Sequence, residues 1–382
     1  MKYNKDKKNK NTNTKIPRFD TPKATSKIGI CGLPLRADTY SGCTFGCTYC
    51  FSNNRKIMGH TGFQVANLKK LDNTLDRIFN KGKIKKDDLT QTLIADKITW
   101  HLGGMSDPFS HFEKDYHITK QFIDITNKYG ISLLISTKSD TVYGADIRPE
   151  LHSFQLSVSN VNNDKSLEPN VPDIESRYRF YRELKSKGCK VGIRIQPFIP
   201  NKSTLDIIEM FKDADNITIE GLKMVPQNEE HVKKTLAATN LTKDDFWFAS
   251  LWNLKPEIKL EMYKPFIQKM EEYNIPYSIA DNELRYISKN KCCCGDRLVK
   301  KALSFNTTAL IQKYGIGYNR CDALCEIGNC KDCECKKLFA SNRQKGVVTV
   351  EDFINRNFHN KKNSVSKEFQ RLTEDEFYKE YL

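Results

Sequence analysis

The chain of 382 residues has no apolar run of membrane-spanning length, and its first residues, MKYNKDKKNK, lack the apolar core of a secretory leader. These absences predict a cytoplasmic protein without a membrane partner, in a compartment where thiols stay reduced and clustered cysteines signify metal more often than disulfide. Acidic residues are also scarce: 47 Asp and Glu stand against 62 Lys and Arg, a formal net charge of +15. Such a balance suits a DNA or RNA partner. It has a second source in composition, because Lys2, Lys5, Lys7, Lys8, Lys10 and Lys15 lie among asparagines and threonines in a stretch that reads as a disordered basic tail. The richness of the whole chain in Lys, Asn and Ile also fits an AT-rich coding sequence. No Ser–His–Asp or paired-carboxylate pattern points to acid–base or acyl-transfer chemistry.

What the chain does have is cysteine, 13 residues in two groups, with Cys31 and Cys189 standing apart as small apolar residues of the kind that pack in cores. The first group is Ser41-Gly42-Cys43-Thr44-Phe45-Gly46-Cys47-Thr48-Tyr49-Cys50-Phe51, a C-x₃-C-x₂-C spacing on a glycine-bearing loop. Iron–sulfur clusters are held by cysteine thiolates. Three thiolates on a [4Fe–4S] cluster leave one iron open to a small molecule. Zinc with a distant fourth ligand, or disulfide pairing, is the alternative reading of three close cysteines. Zinc more often takes two separated pairs. The second group is Cys292, Cys293, Cys294, Cys321, Cys325, Cys330, Cys333 and Cys335, read as a second metal site with Cys330-x₂-Cys333 as its most ligand-like pair. Neighbouring residues of an extended chain point to opposite sides, which predicts that Cys292–Cys294 do not all bind one ion. An auxiliary iron–sulfur cluster and a zinc–thiolate site both fit this spacing.

Strand and helix patterns alternate along the middle of the chain. Strands are predicted at 28–31, 97–102, 132–136, 154–158, 190–196, 217–222 and 277–280, and helices at 63–80, 117–129, 173–188, 204–212 and 257–273. In the first helix Val65, Leu68, Leu71, Leu75 and Ile78 recur near the helical period. Strands separated by helices imply an α/β fold with a parallel sheet and right-handed crossovers, either open or closed as a barrel.

The cysteine loop, with aromatic Tyr49 before its third cysteine, resembles the signature of the radical S-adenosylmethionine (SAM) enzymes. Trp100-His101-Leu102-Gly103-Gly104-Met105-Ser106-Asp107-Pro108-Phe109 with Glu113, then Ser136-Thr137-Lys138-Ser139, Ser157-Val158-Ser159, Leu167-Glu168-Pro169, Arg177 and Arg194–Pro200, resemble in order the segments of the spore photoproduct lyase-like ("DNA repair photolyase") group. The resemblance spans roughly residues 28–201 and implies a partial (β/α)6 radical SAM barrel, with function on loops at the carboxyl ends of the strands. It implies a [4Fe–4S] cluster on Cys43, Cys47 and Cys50, SAM on its open iron, and reductive cleavage of SAM to a 5′-deoxyadenosyl radical that takes hydrogen from the substrate. A one-electron reductant such as flavodoxin or ferredoxin goes with that chemistry.

SAM contacts implied by the resemblance are Gly103 and Gly104, whose backbone a ligand can approach closely, and Ser136, Thr137, Lys138, Ser157 and Ser159. Each has a structural alternative: a strand-to-loop turn for the glycines, and packing for the two serines, which share one strand face. Asp107 either bonds substrate or caps the turn before Pro108. Glu168 with Arg177 reads as a structural ion pair, and His101 and His111 as structural histidines. Spore photoproduct lyase uses a hydrogen-donating cysteine between the cluster loop and the later barrel. This chain has no cysteine between Cys50 and Cys189 and adds the second cysteine group. The expected organisation is a tail over 1–26, a radical SAM core over 27–286, a C-terminal cysteine-rich metal module over 287–340 and a helical tail over 341–382. The expected substrate is a nucleic acid. The alternatives are a peptide or metabolite modified with help from an auxiliary cluster, and a non-enzymatic cysteine-rich nucleic-acid-binding protein.

Overall fold

The computed structural model describes residues 16–302 except 25–31, 53–61, 86–87, 250, 282–283, 285–286 and 291. The basic tail, the predicted strand at 28–31 with Cys31, the five cysteines from Cys321 to Cys335 and the helical tail lie outside the described residues.

Among the described residues thirteen strands and eight α-helices follow in chain order: β1 (Arg18–Phe19), β2 (Lys23–Ala24), β3 (Leu35–Ala37), β4 (Val65–Ala66), α1 (Leu68–Phe79), α2 (Leu89–Ala95), β5 (Trp100–Leu102), α3 (Phe112–Tyr116), α4 (Ile118–Lys128), β6 (Leu133–Thr137), β7 (His152–Ser157), α5 (Ile174–Ser186), β8 (Lys190–Phe198), α6 (Asp206–Met210), β9 (Ile217–Gly221), β10 (Lys223–Met224), α7 (Glu229–Thr239), β11 (Phe246–Ala249), β12 (Leu251–Leu254), α8 (Pro256–Glu272) and β13 (Tyr277–Ile279). An eight-stranded sheet runs β13-β9-β8-β7-β6-β5-β3-β2. Every neighbouring pair from β3 to β13 is parallel, and only β2 joins antiparallel. The chain enters the cysteine loop from β3, just after Pro34.

The two faces of this sheet differ in chemistry because side chains alternate along a strand. One face carries Leu133, Ile135, Phe154, Leu156, Ile193, Ile195, Ile217 and Ile219. It packs with Leu71, Leu75, Phe122, Phe180, Leu184, Phe266 and Met270 of the helices in one buried cluster. At ~25 cal/mol per Å² of apolar surface, this layer is the main stabilising contribution. The other face carries Arg36, His101, Ser136, Gln155, Arg194, Thr218 and Glu220. Its hydrogen bonds run across strands, from His101 to Ser136 and from Arg194 to Gln155 and Glu220. A mostly polar face on a central sheet is costly unless each group is bonded, so this is where a site belongs.

Two regions were not predicted from the sequence. A three-stranded antiparallel sheet, β10-β12-β11, follows β9, with α7 between its strands. Residues 292–302 run beneath the polar face. Carbonyls of Cys292, Cys293, Cys294 and Leu298 accept from Ser278, Thr218, Gln155 and Ser153 in turn, and Lys301 O accepts from Thr99 N. One segment thus touches β13, β9, β7 and the start of β5 on a single side, so the sheet is concave around it.

Candidate functional site: the cysteine loop and the strand ends beside it

Residues 38–52 arch over the carboxyl ends of the strands and are fastened at several points. Thr48 N donates to Leu167 O at 2.9 Å and Thr48 Oγ1 to Ser166 O at 2.6 Å. Asn170 N and Nδ2 reach Phe45 O and Thr44 O, and His111 N donates to Thr44 Oγ1 at 2.9 Å. Phe45 is fully buried, with the His111 ring edge-on at 5.6 Å. Gly46 takes φ +64°, a left-handed turn that lets the loop double back between Cys43 and Cys47.

Cys43, Cys47 and Cys50 are outside any disulfide and half-buried. Burial, then the Asp107 carboxylate, pushes the Cys43 thiol well up; burial pushes Cys47 up to about 12 against the pull of Lys138. Both are therefore neutral thiols until a metal displaces the proton. Among the described residues no three His, Cys, Asp or Glu side chains surround a point that would hold a single metal ion. Three soft thiolates on one loop are a donor set that an iron–sulfur cluster can take.

Behind the loop lies a buried charged junction. Tyr49 OH donates to Glu168 and contacts Ser159 Oγ at 3.3 Å. Lys138 Nζ reaches Glu168 Oε1 at 2.8 Å, and Arg177 Nη2 lies 3.6 Å from Glu168 Oε2. Burial alone would raise the Glu168 carboxyl, but the Lys138 and Arg177 charges outweigh it and hold it below its usual range. The expected Glu168–Arg177 pair is present, and sequence reading missed that Lys138 and Tyr49 converge on the same carboxylate.

Gly103 leaves β5 at φ +87°, and a Cβ there would meet Ser136 O at 2.3 Å; a Cβ on Gly104 would lie 3.0 Å from Arg36 Nη1. Gly103 is thus required by close approach of the next strand end, whereas Gly104 meets only the flexible side chain of Arg36. Asp38 Oδ1 accepts from Met105 N and Ser106 N, both at 2.9 Å, and fixes this turn to β3. Asp107 is half-buried and accepts from Thr137 Oγ1, Lys138 N and Phe109 N. It braces the turn. Glu113, also buried, accepts from Tyr40 OH and from the Thr119 and Lys120 amides that open α4.

The named strand-end residues divide. Ser136 faces the concave side and bonds His101 Nε2 at 2.8 Å, whereas the Thr137 hydroxyl is held by Asp107. Ser157 is half-buried at the end of β7, and Ser159 is fully buried beneath Tyr49. His101 is buried, and burial, then the Arg36 and Arg194 charges, lowers its pKa well below 6.5. It is neutral, and its Nδ1 has no hydrogen-bond partner among the described residues.

The three cysteines 292–294 do not alternate as an extended chain would. Gly295 takes φ +92°, Gly295 N donates to Cys292 O at 2.9 Å, and Cys292 N donates to Asp296 Oδ1 at 2.7 Å. In this turn the three thiols lie close enough to influence one another's titration, and the segment is not the extended chain that the alternation argument assumed. Cys292 and Cys294 pack with Leu33, Leu134 and Leu298. Cys293 is half-buried and close enough to His101 and Arg194 to act on their charge. Cys189 is buried in the main core, as expected.

No family model matches the sequence. An uncharacterized protein of Methanocaldococcus jannaschii is 25% identical over 206 residues, covering 52% of this chain and 73% of its own. A spore photoproduct lyase variant superposes with a TM-score of 0.53 at 13% identity, over 69% of this chain and 80% of that one. A second variant, with bound AdoMet and dinucleoside spore photoproduct, gives 0.51 at 14% identity over 65% and 76%. The fold of about two thirds of this chain is thus similar to that of spore photoproduct lyase.

Proposed function

We propose that the protein is a radical SAM enzyme in which Cys43, Cys47 and Cys50 hold a [4Fe–4S] cluster and the adjoining strand ends hold SAM. The observation that carries this is three cysteines outside any disulfide on one pinned loop, at the carboxyl end of the first parallel strand of a fold shared with spore photoproduct lyase. We read the concave sheet as the partial (β/α)6 barrel, within a core over 27–286 that precedes a cysteine module over 287–340 and a tail over 341–382.

When bound, such a cluster supplies the electron that cleaves SAM, delivered by a flavodoxin- or ferredoxin-like reductant. The chain's own residues do the rest. Gly103 and Gly104 expose backbone beside the loop, Ser136, Lys138 and Ser157 present polar groups at the strand ends, and Tyr49 and Phe45 close the loop's underside to water. Thr137 and Ser159 belong to the same ligand-facing region; their hydroxyls brace Asp107 and Tyr49.

The substrate in this reading is a nucleic acid, repaired or modified in photolyase-like fashion. The net charge favours it. So does Phe248, at 58% exposure the most exposed large apolar side chain among the described residues, set edge-on to Trp252 at 5.7 Å. Trp252 packs into the same cluster as Tyr49 and Cys47, so this aromatic pair stands near the cysteine loop, where a base could stack. The Cys293 thiol, on the concave side, offers an S–H group that the cysteine-free stretch between Cys50 and Cys189 does not. The peptide- or metabolite-modifying reading draws on the convergent Cys292–Cys294 thiols, which with Cys321, Cys325, Cys330, Cys333 and Cys335 would hold an auxiliary cluster or zinc.

Salt-dependent binding of single-stranded and duplex oligonucleotides by the reconstituted protein separates the two substrate classes. Affinity that falls with salt supports the nucleic-acid reading. No binding at low salt removes it and leaves the peptide or metabolite.

A further inference from the structure

The middle of the cysteine loop is held from two sides. From the segment after β7, Leu167 O accepts from Thr48 N at 2.9 Å and Ser166 O from Thr48 Oγ1 at 2.6 Å. On the other side stands α7, whose Thr235 Oγ1 makes a long hydrogen bond of 3.4 Å to Thr48 O. His231, one turn earlier, lies 3.4 Å from the same hydroxyl through Nδ1 and also reaches the Thr48 backbone. Both side chains are buried.

Two separate observations give this contact a purpose. The first is where the threonine hydroxyls of α7 go. A buried threonine in a helix can satisfy itself on the carbonyl four residues back, and Thr239 does so, on Thr235 O at 2.7 Å. Thr235 instead reaches out of its helix to a carbonyl 187 positions earlier in the chain. The second is packing. Cys47 and Tyr49 lie outside the main core and join a smaller one with Met224, Val232, Phe246 and Leu254, from β10, α7, β11 and β12. Among the described residues Cys43 and Cys50 take no part in it. This unit therefore supports one of the three thiols in particular.

We propose that the β10–α7–β11–β12 unit is a buttress for the cysteine loop, with Thr235 as a positioning residue that fixes the Cys47–Tyr49 stretch and Val232 as its apolar support. Resting on the radical SAM reading, its task is to keep Cys47 in the relation to Cys43 and Cys50 that a [4Fe–4S] cluster takes. The bond to Thr48 O also draws off part of that carbonyl's negative end beside a ligand. Hydrogen bonding around the ligands is one of the levers on a cluster's potential.

The test starts from the metal-free, full-length protein. Iodoacetamide labelling at fixed pH is read cysteine by cysteine by mass spectrometry, as the ratio of the Cys47 rate to the Cys43 rate. Thr235→Val and Val232→Ala are each expected to raise this ratio roughly threefold to tenfold, the scale of a lost hydrogen bond or a buried methylene; having two variants covers the misfolding of either. Thr235→Ser keeps the hydroxyl and is expected to stay near wild type. Val191→Ala removes the same atoms from the main core, at the end of β8 away from the loop, and is expected to lower the Tm without changing the ratio. After reconstitution with iron and sulfide, the midpoint potential of the cluster should fall in Thr235→Val and hold in Thr235→Ser. A ratio unchanged in both α7 variants, or raised as much by Val191→Ala or Thr235→Ser, overturns the proposal, as does a cluster potential unmoved in Thr235→Val. Labelling needs no cluster, so a protein that labels as expected and never cleaves SAM sinks the radical SAM reading alone.

Discussion

Gly103 sits where β5 ends and the chain must turn at φ +87° against the carbonyl of Ser136. Gly103→Ala puts a methyl 2.3 Å from that oxygen and 2.8 Å from Pro108 Cδ, so backbone has to move. The expected result is a loss of at least about 2 kcal/mol in urea unfolding, together with weakened SAM binding. Asp38 offers a subtler test at the same turn. Burial pushes its carboxyl up to about 6, against hydrogen bonds from Ser106 and Met105. The unfolded carboxyl titrates near ~4. Between those values the folded state holds more protons, so this group makes stability fall as pH rises. Asp38→Asn keeps an oxygen for both amides, and is expected to be more stable than wild type at pH 7 by on the order of 1 kcal/mol, an advantage lost below about pH 4. The sequence showed Gly103 as a motif residue but gave no sign of Asp38. The reason is that a metal loop demands fixed residue types at fixed local spacing, whereas Asp38 acts on amides 67 and 68 positions away.

Between elements, Glu168 is the junction. It joins the cysteine loop through Tyr49, the end of β6 through Lys138, and α5 through Arg177. Glu168→Gln preserves shape but leaves two cations buried without their carboxylate, a change worth about 3–5 kcal/mol. Lower stability and poor iron retention after reconstitution are expected together, read by urea unfolding and by iron content. Tyr49 and Glu168 are 119 residues apart, which explains why both motifs were legible while their contact was not. The β11–β12 hairpin was missed for another reason: Phe-Trp-Phe-Ala and Leu-Trp-Asn-Leu lack clean alternation, although their aromatic content favours strand. If it receives bases, Phe248→Ala should weaken single-strand binding by roughly 5- to 100-fold while leaving the Tm unchanged. The Cys292–Cys294 turn was not foreseen because residue alternation was applied to a segment that Gly295 bends.

At the scale of the whole molecule, three buried histidines set the acid limit. Burial lowers His101, His152 and His231, with His152 pushed down to about 4. The unfolded chain binds these protons near pH ~6.5 and the folded chain does not, so stability is complete above that pH and falls toward pH ~4 by up to ~1.4 kcal/mol per unit per histidine. Urea midpoints measured from pH 7.5 to 4.5 should decline accordingly. The parallel α/β core was legible because its strands and helices carry their periods openly; the concave polar face was not, because it comes from the inward half of many separate strands. Both serve the loop of Cys43, Cys47 and Cys50, and the most direct measurement is 5′-deoxyadenosine formation from SAM under dithionite, after anaerobic reconstitution with iron and sulfide. Wild type is expected to form it and Cys47→Ala to form none. An iron-loaded wild type that forms none, or a variant that matches it, contradicts the radical SAM reading.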